Sequence, residues 1–393
     1  MRCLKMKILM VHPHDIYSTK EPWTVRITEI AQKLTEKGHE VKLVYFPLPE
    51  QERGLLNNYR FNFEVIPFKR RKWAIFKNIY KMYKLARWAD VIHFQKCFTI
   101  ASLPAIFAAY FAGKPVHYDW DDWEYQIYLF SPPSQLYGKY LNLVERTIPK
   151  LVDTVSVASD GIKNLALSLG VREERIFDAH VGADLNKFNP KIDGSEIRDK
   201  YKIKHNTPVV IYLGQLHGAQ YAELFVRAAK KLIDEKTDAA FMIVGWGTEA
   251  HKLTSLAEKL EISDRLIFTG YVTHEEVPKY LAASDIAVAC FEDNGITRCK
   301  SPLKIVEYLA AGKAIVASDV GEVKKMVGNA GILVKAGDVE ALSKGIKILL
   351  NDEKMRKTLG KEARKRAELE YNWDVTTDNL IKAYETAMSL RKH

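Results

Sequence analysis

Short, almost continuous apolar runs recur along this chain, each followed by a stretch with helical spacing. In the first half they predict strands over 7–12, 40–46, 63–67, 91–94, 115–119 and 152–158. Helical periodicity fills the gaps, over 25–37 with a stop at Gly38, over the basic segment 69–88, over 98–113 and over 160–170. Runs that are apolar at every position, rather than at alternate ones, mark strands covered on both faces, the habit of parallel sheets. Strand and helix in turn predict a doubly wound α/β sheet. The pattern breaks near Gly182 into a polar stretch that reaches Thr207, and a linker is expected at about 183–207. Pro208 opens a second series, with strands over 209–213, 240–244, 265–269, 286–289, 314–317 and 331–334. The chain therefore reads as two Rossmann-like halves.

Length agrees, since 393 residues suit two domains better than one. The four cysteines, Cys3, Cys97, Cys290 and Cys299, have no paired spacing, so neither a zinc site nor a disulfide framework is indicated and a reducing cytoplasm is the expected compartment. The first residues run into a strand without a secretory apolar core. The longest apolar run, 98–113, is short of a bilayer span and is expected to be a buried helix between two strands. No membrane-spanning anchor is expected.

Charge changes the picture in one place. The net charge is +10, and the segment 65–89 holds eight basic residues (Lys69, Arg70, Arg71, Lys72, Lys77, Lys81, Lys84, Arg87) and no acidic one. On a helix Arg70, Lys77, Lys81 and Lys84 share one face and Ile75, Ile79, Met82 and Ala86 another. Phe76, Tyr80 and Tyr83 lie between them, with Trp73 and Trp88 at the ends. Two readings stand: a peripheral binder of an anionic membrane surface, or a solvated face of a helix packed on the sheet. Nucleic acid is not expected, because no recognition module accompanies the patch.

The segment Ser301-Pro-Leu-Lys-Ile-Val-Glu-Tyr-Leu-Ala-Ala-Gly312 carries the candidate chemistry. It predicts a helix opened by Pro302, closed at Gly312 and feeding the strand over 314–317. Such a helix start offers free N–H groups to a phosphate or diphosphate. Lys304 lies one turn from the start, and Glu307 is placed to accept hydrogen bonds from ribose hydroxyls.

The segment resembles the donor-site motif of the retaining GT-B glycosyltransferases of family 4, in which a glutamate two turns into this helix holds the ribose. Other segments, in the same order, extend the likeness over nearly the whole chain: Lys37-Gly-His-Glu-Val-Lys42, Val181-Gly-Ala-Asp-Leu-Asn-Lys-Phe188, Val244-Gly-Trp-Gly247, Phe268-Thr-Gly-Tyr-Val272 and Tyr371-Asn-Trp373. The resemblance implies the GT-B architecture, two Rossmann-like doubly wound parallel-sheet domains facing a central cleft. It implies an acceptor-side domain over 1–183, completed by a crossover helix at 374–393, and a nucleotide-sugar donor domain over 184–373.

The same resemblance exposes three departures. Gln215 and Gln220 stand where the family has an arginine and a lysine. Glutamine bonds a phosphate without supplying charge, so Lys304, Arg298, Lys300 and His217 are the candidates to compensate. Cys299 stands where a glutamate meets the donor sugar, with Glu292 or Asp293 as possible substitutes. Asp121 stands where many members have a histidine near sugar and acceptor. Within His117-Tyr-Asp-Trp-Asp-Asp-Trp-Glu124, the residues Asp119, Asp121, Asp122 and Glu124 permit three readings: a group orienting or deprotonating an acceptor hydroxyl, a metal site on Asp119 and Asp121, or a hydrogen-bonded structural acid cluster.

The implied activity is transfer of a sugar from a nucleotide-diphosphate sugar to a hydroxyl acceptor, a lipid-linked or cell-envelope saccharide being suggested by the basic segment. Asp121, Lys304 and Glu307 are the catalytic candidates. Gly214, Gln215, Gln220, Gly245, Gly270, Tyr271, Val272, Arg298, Cys299, Ser301, Pro302 and Leu303 join the last two on the donor side. His14, Asp15, Trp23, Arg26, Asp119 and Asp122 are expected on the acceptor side. No metal and no cofactor beyond the donor are expected. The departures leave open a non-catalytic relative that binds or regulates a glycosyltransferase. A dinucleotide-dependent enzyme is disfavoured, since no Gly-x-Gly-x-x-Gly follows the first strand.

Overall fold

The computed structural model describes residues 5–56, 58–130, 132–218 and 221–391. The chain divides into two compact units: Met1–His180 with Trp373–His393, and Val181–Asn372.

The first unit holds seven strands, β1 (Lys7–Val11), β2 (Glu40–Tyr45), β3 (Glu64–Pro67), β4 (Val91–Gln95), β5 (Val116–Trp120), β6 (Thr154–Val157) and β7 (Ile176–Asp178). They form one parallel sheet in the order β3-β2-β1-β4-β5-β6-β7. Order reverses between β1 and β4, so those two strands diverge into a crevice at their carboxyl ends. The helix Trp373–Leu390 packs on this sheet. It buries Tyr384, whose hydroxyl shares a 2.8 Å hydrogen bond with His93 of β4, and its Thr376 hydroxyl donates to His180 O at 2.7 Å.

The second unit has six strands, β8 (Val209–Leu213), β9 (Ala240–Val244), β10 (Leu266–Phe268), β11 (Ile286–Ala289), β12 (Ala314–Ser318) and β13 (Gly331–Val334), again all parallel, in the order β10-β9-β8-β11-β12-β13. Its reversal falls between β8 and β11. The polar stretch 183–207 is not a bare linker. It belongs to this unit, contains the helix Ser195–Lys200, and is tied down by Arg198, which donates to Asp285 at 2.9 Å.

Two expectations about helices change. The apolar helix Thr99–Ala112 is buried on one face only: Ala101, Ala105, Ala108 and Ala109 face the fold, while Phe107, Tyr110 and Phe111 are exposed. Its small residues permit close packing, and its large rings were left outside. In the basic segment the helix runs Ile75–Ala86 and buries Asn78, Met82 and Ala86. Arg70 is withdrawn from the basic face, because its guanidinium makes two 2.8 Å bonds to the buried Glu21.

Arg26 and Asp119, both expected on the acceptor side, are instead spent on each other inside the first unit. Arg26 Nε and Nη2 each donate to Asp119 at 2.8 Å, Nη2 also reaches Ala179 O at 2.7 Å, and Ser156 donates to Asp119 at 2.6 Å. Burial alone would raise the Asp119 pKa, but the guanidinium holds it below the usual carboxylate range. Removing one partner of such a pair strands a buried charge, which costs about 3–5 kcal/mol. Arg26→Met is therefore expected to destabilise the first unit by that order in chemical denaturation. Arg26→Met combined with Asp119→Leu should recover much of the loss.

Candidate functional site

In the second unit three glycine turns end adjacent strands. Gly214 follows β8, Gly245 follows β9 and Gly270 lies just beyond β10. A Cβ on Gly245 would lie 1.9 Å from Gly214 O, and φ is +139° there, so only glycine fits. Gly245 in turn bridges Gly270. Trp246 and Tyr271, which follow these glycines, are exposed; Val272 continues the turn.

The helix Leu303–Ala310 starts from Pro302 with no side-chain cap, which leaves its first N–H groups to other acceptors. It closes at Gly312, where φ is +65° and the Lys313 N–H reaches back to Tyr308 O at 3.0 Å. Tyr308 fixes the helix to the switch point. Its hydroxyl accepts from the Leu213 N–H at 2.9 Å and donates to Val288 O at 3.2 Å, joining β8 and β11.

Lys304, on this helix, is buried. Its ammonium donates to the Tyr212 hydroxyl at 3.1 Å and sits 4.1 Å from the centroid of the same ring. A Cβ on Gly214 would come within 2.9 Å of Lys304 Nζ, so the ammonium stands against the backbone that leads into Gln215. Burial, with Lys300 adding to it, lowers the Lys304 pKa to about 7. His217 is lowered to about 4 by burial, with Lys300 and Lys304 as nearby like charges. Three of the four compensating candidates thus gather at the loop after β8. Arg298 does not, because it is exposed and paired with Asp293 at 2.6 Å. Cys299 and Ser301 are buried, the latter donating to Met326 Sδ at 3.8 Å. Gln220 lies outside the described residues.

Glu307 is buried, and His274 Nε2 stands 2.7 Å from its Oε1. His274 was not marked by the sequence, and Lys187, which bonds the other ring nitrogen, lay within the quoted 181–188 segment without being named as a site residue. The partners are 33 and 87 residues apart, and no local pattern signals such a contact.

In the first unit the crevice between β1 and β4 collects a second polar group. Lys96, just past β4, has φ +67°, a strained position for a side chain with a Cβ. Its buried ammonium lies 3.3 Å from Asp121, 3.7 Å from Asp122 and 2.5 Å from Glu124. The Gln95 amide donates to Asp121 at 2.7 Å. Burial raises the Asp121 pKa to about 7, Lys96 opposing and Asp122 and Asp119 reinforcing the shift. Asp121, Asp122 and Glu124 bring carboxylate oxygens within 4.8 Å of one another, with Lys96 as their shared cation. Asp119 faces Arg26, so the Asp119–Asp121 metal pair does not form. His14 bonds the buried Glu21 at 2.8 Å, edge-on to Trp23 and Phe98, and Asp15 accepts from Arg53 at 2.7 Å. His12 and the Gln95 carbonyl are buried with no hydrogen-bond partner among the described residues. A position directly after a strand end was the only sequence signal for Lys96.

The model for Glycosyltransferase Family 4 matches residues 24–187, and that for Glycosyl transferases group 1 matches 193–366. An uncharacterized glycosyltransferase of Methanocaldococcus jannaschii is 26% identical over 345 residues, 83% of each chain. A GDP-mannose-dependent monoacylated alpha-(1-6)-phosphatidylinositol monomannoside mannosyltransferase of Corynebacterium glutamicum is 28% identical over 204 residues, 51% of this chain and 53% of its own. Among solved structures, Anabaena HepE in complex with UDP and glucose has a TM-score of 0.76 at 18% identity, covering 97% of this chain and 99% of its own.

The Lys304 shift has a thermal consequence. Between about pH 7 and the usual lysine value near 10.4 the unfolded chain keeps a proton that the folded chain has released, so this residue's contribution to stability rises with pH. Lys304→Met is expected to raise the melting temperature of the second unit by several degrees at pH 6, where the buried ammonium is costly. That gain should vanish by pH 10.5. A gain independent of pH would show that the ammonium is not the cause.

Proposed function

Since this chain belongs to the GT-B glycosyltransferases of family 4, we propose that it moves a sugar from a nucleotide-diphosphate sugar to an acceptor hydroxyl, with retention at the anomeric carbon. The observation that carries the reading is the uncapped start of the helix Leu303–Ala310, with Lys304 against Gly214 and Glu307 along the same helix. Departure of a nucleoside diphosphate builds negative charge, and donors fixed at that position favour it. Lys304, with Lys300 near it, supplies the cation that Gln215 and Gln220 lack. A diphosphate beside Lys304 would restore the proton that burial removes, so donor binding above pH 7 draws in a proton. Glu307 accepts from the ribose, and the glycine turn at 270–272 faces the base.

On the acceptor side, Asp121 is the carboxyl proposed to meet a hydroxyl. Its pKa near 7 lets it hold or release a proton at neutral pH. The surface of the first unit supports the acceptor class proposed here. Trp73, Phe76 and Tyr80 stand exposed beside Lys77, Lys81 and Lys84, and Phe107, Tyr110 and Phe111 stand exposed on the helix packed against theirs. Exposed rings interleaved with lysines suit an anionic lipid surface, and the Corynebacterium relative is named for a phosphatidylinositol acceptor. No helix among the described residues is long and apolar enough to cross a membrane. The scheme takes a lipid-carried saccharide as acceptor and needs no group beyond the donor.

Incubation with UDP-, GDP-, ADP- and CDP-sugars should release one nucleotide slowly, and Glu307→Ala should lower that release at least tenfold. A variant as active as the parent would remove Glu307 from the donor site. For the surface, replacing Lys77, Lys81 and Lys84 by glutamine should weaken binding to phosphatidylglycerol-containing vesicles about a hundredfold, at about 1 kcal/mol per lysine. Equal binding to neutral vesicles, or none at all, would leave these lysines as a merely solvated face.

A further inference from the structure

Glu307 does not wait for its ligand unheld. His274 reaches it from the turn between β10 and the helix Val277–Ala282, with Nε2 at 2.7 Å from Oε1. Behind the imidazole, Lys187 Nζ lies 2.9 Å from Nδ1. An ammonium has donors and no acceptor, so Nδ1 must be the accepting nitrogen. The ring proton is then on Nε2, pointing at the carboxylate. The Phe188 ring, at 5.6 Å and 52° to the imidazole, supports it from the residue next to Lys187. The three side chains come from three separate segments of one unit, and the segments of Lys187 and Glu307 carried family-like motifs while that of His274 did not.

We propose that His274 is a positioning residue for the donor, with Lys187 as the group that sets its tautomer. The inference rests on the reading above that Glu307 meets a ribose. A glutamate on a helix has three rotatable bonds, and binding must otherwise freeze them at the moment of contact. Here the bond from His274 fixes the carboxylate beforehand and engages Oε1. Oε2 is left to accept from a ribose hydroxyl. Lys187 makes the arrangement one-way, because the opposite tautomer would set an N–H against an ammonium. Losing a hydrogen bond to a charged group costs about tenfold in affinity. The loss should appear only for ligands that carry the hydroxyls Glu307 would hold.

The test is calorimetric titration of the full chain with UDP, GDP and ADP, and with the 2′,3′-dideoxy form of whichever binds. His274→Leu should weaken the ribonucleotide about tenfold and leave the dideoxynucleotide unchanged. His274→Gln, whose amide can still donate to Glu307, should recover most of the loss. In turnover, donor KM should rise in His274→Leu with kcat little altered. Equal weakening of both nucleotides would reduce His274 to a packing residue and overturn the proposal, as would no weakening of either. Glu307→Ala separates the two levels of argument. If it weakens the ribonucleotide while His274→Leu does not, the relay fails and the donor reading stands. If Glu307→Ala changes nothing, or no nucleotide binds, the donor reading fails and the relay with it.

Discussion

Both sheets are parallel throughout, and that constraint decides where chemistry can collect. Parallel strands all release the chain at one edge, and both faces of the sheet are covered by helices. Polar side chains near the strand ends must therefore be satisfied by one another or by a ligand. In the first unit Gln95, Lys96, Asp119 and Asp121 all stand at or just beyond the ends of β4 and β5. In the second, Gly214, Gly245 and Gly270 stand at or just beyond the ends of β8, β9 and β10, on the other side of the reversal. The difference in residue type is physical. Where a backbone carbonyl sits 1.9 Å from a would-be Cβ, no side chain is possible, so the second edge presents bare peptide groups and borrows its charge from a helix.

Burial then separates the charges that hold the fold from those available to a ligand. Arg26 and Asp119 bond each other twice, with Ser156 and Ala179 O as further partners, and Arg26 Nη1 alone is left buried without a hydrogen bond among the described residues. Such a pair has little to offer a substrate. Lys96 is different in kind: three carboxylates face one ammonium, and burial, reinforced by Asp122 and Asp119, drives Asp121 toward neutrality. Lys304 is the mirror case, an ammonium held on a tyrosine ring with no carboxylate bonded to it among the described residues, and burial pulls its pKa toward neutral pH. Each is a group whose charge a substrate can change.

What the sequence disclosed follows the range of the forces involved. The strands, the helix closed by Gly312 and the glycine turns are set by residues within a few positions of each other, and they were legible. The three-residue β7 was not, since Ile176-Phe177 between charged Arg175 and Asp178 leaves too short an apolar run to mark a strand. Nor was the facing of the helix Thr99–Ala112, where a run apolar on every side hides which side is packed. The pairing of Arg26 with Asp119 spans 93 residues, and both were read as acceptor-side because each lies near a strand end or loop that looked functional. A motif located Glu307, but its partner His274 lies in a segment with no motif. Position along a strand told which residues reach the edge, and only the tertiary structure told which were already taken.

The departures from the family pattern are coupled rather than independent losses. An arginine and a lysine in the loop after β8 would supply permanent charge to a diphosphate whatever the pH. With Gln215 there instead, the nearest buried cation is Lys304, which is charged only when a proton is present. Affinity for an anionic donor then carries a proton cost that rises with pH, because a neutral amine must be reprotonated to meet the phosphates. The same burial that lowers the pKa also strengthens the attraction once the charge forms, since little water is present to screen it. The helix that carries Lys304 carries Glu307 one turn on, and Tyr308 locks it to the ends of β8 and β11. The proposed phosphate and ribose contacts would therefore lie on one rigid element. On the proposed reading the loop after β8 need not carry charge, and glutamine at Gln215 is compatible with a donor site built on that helix.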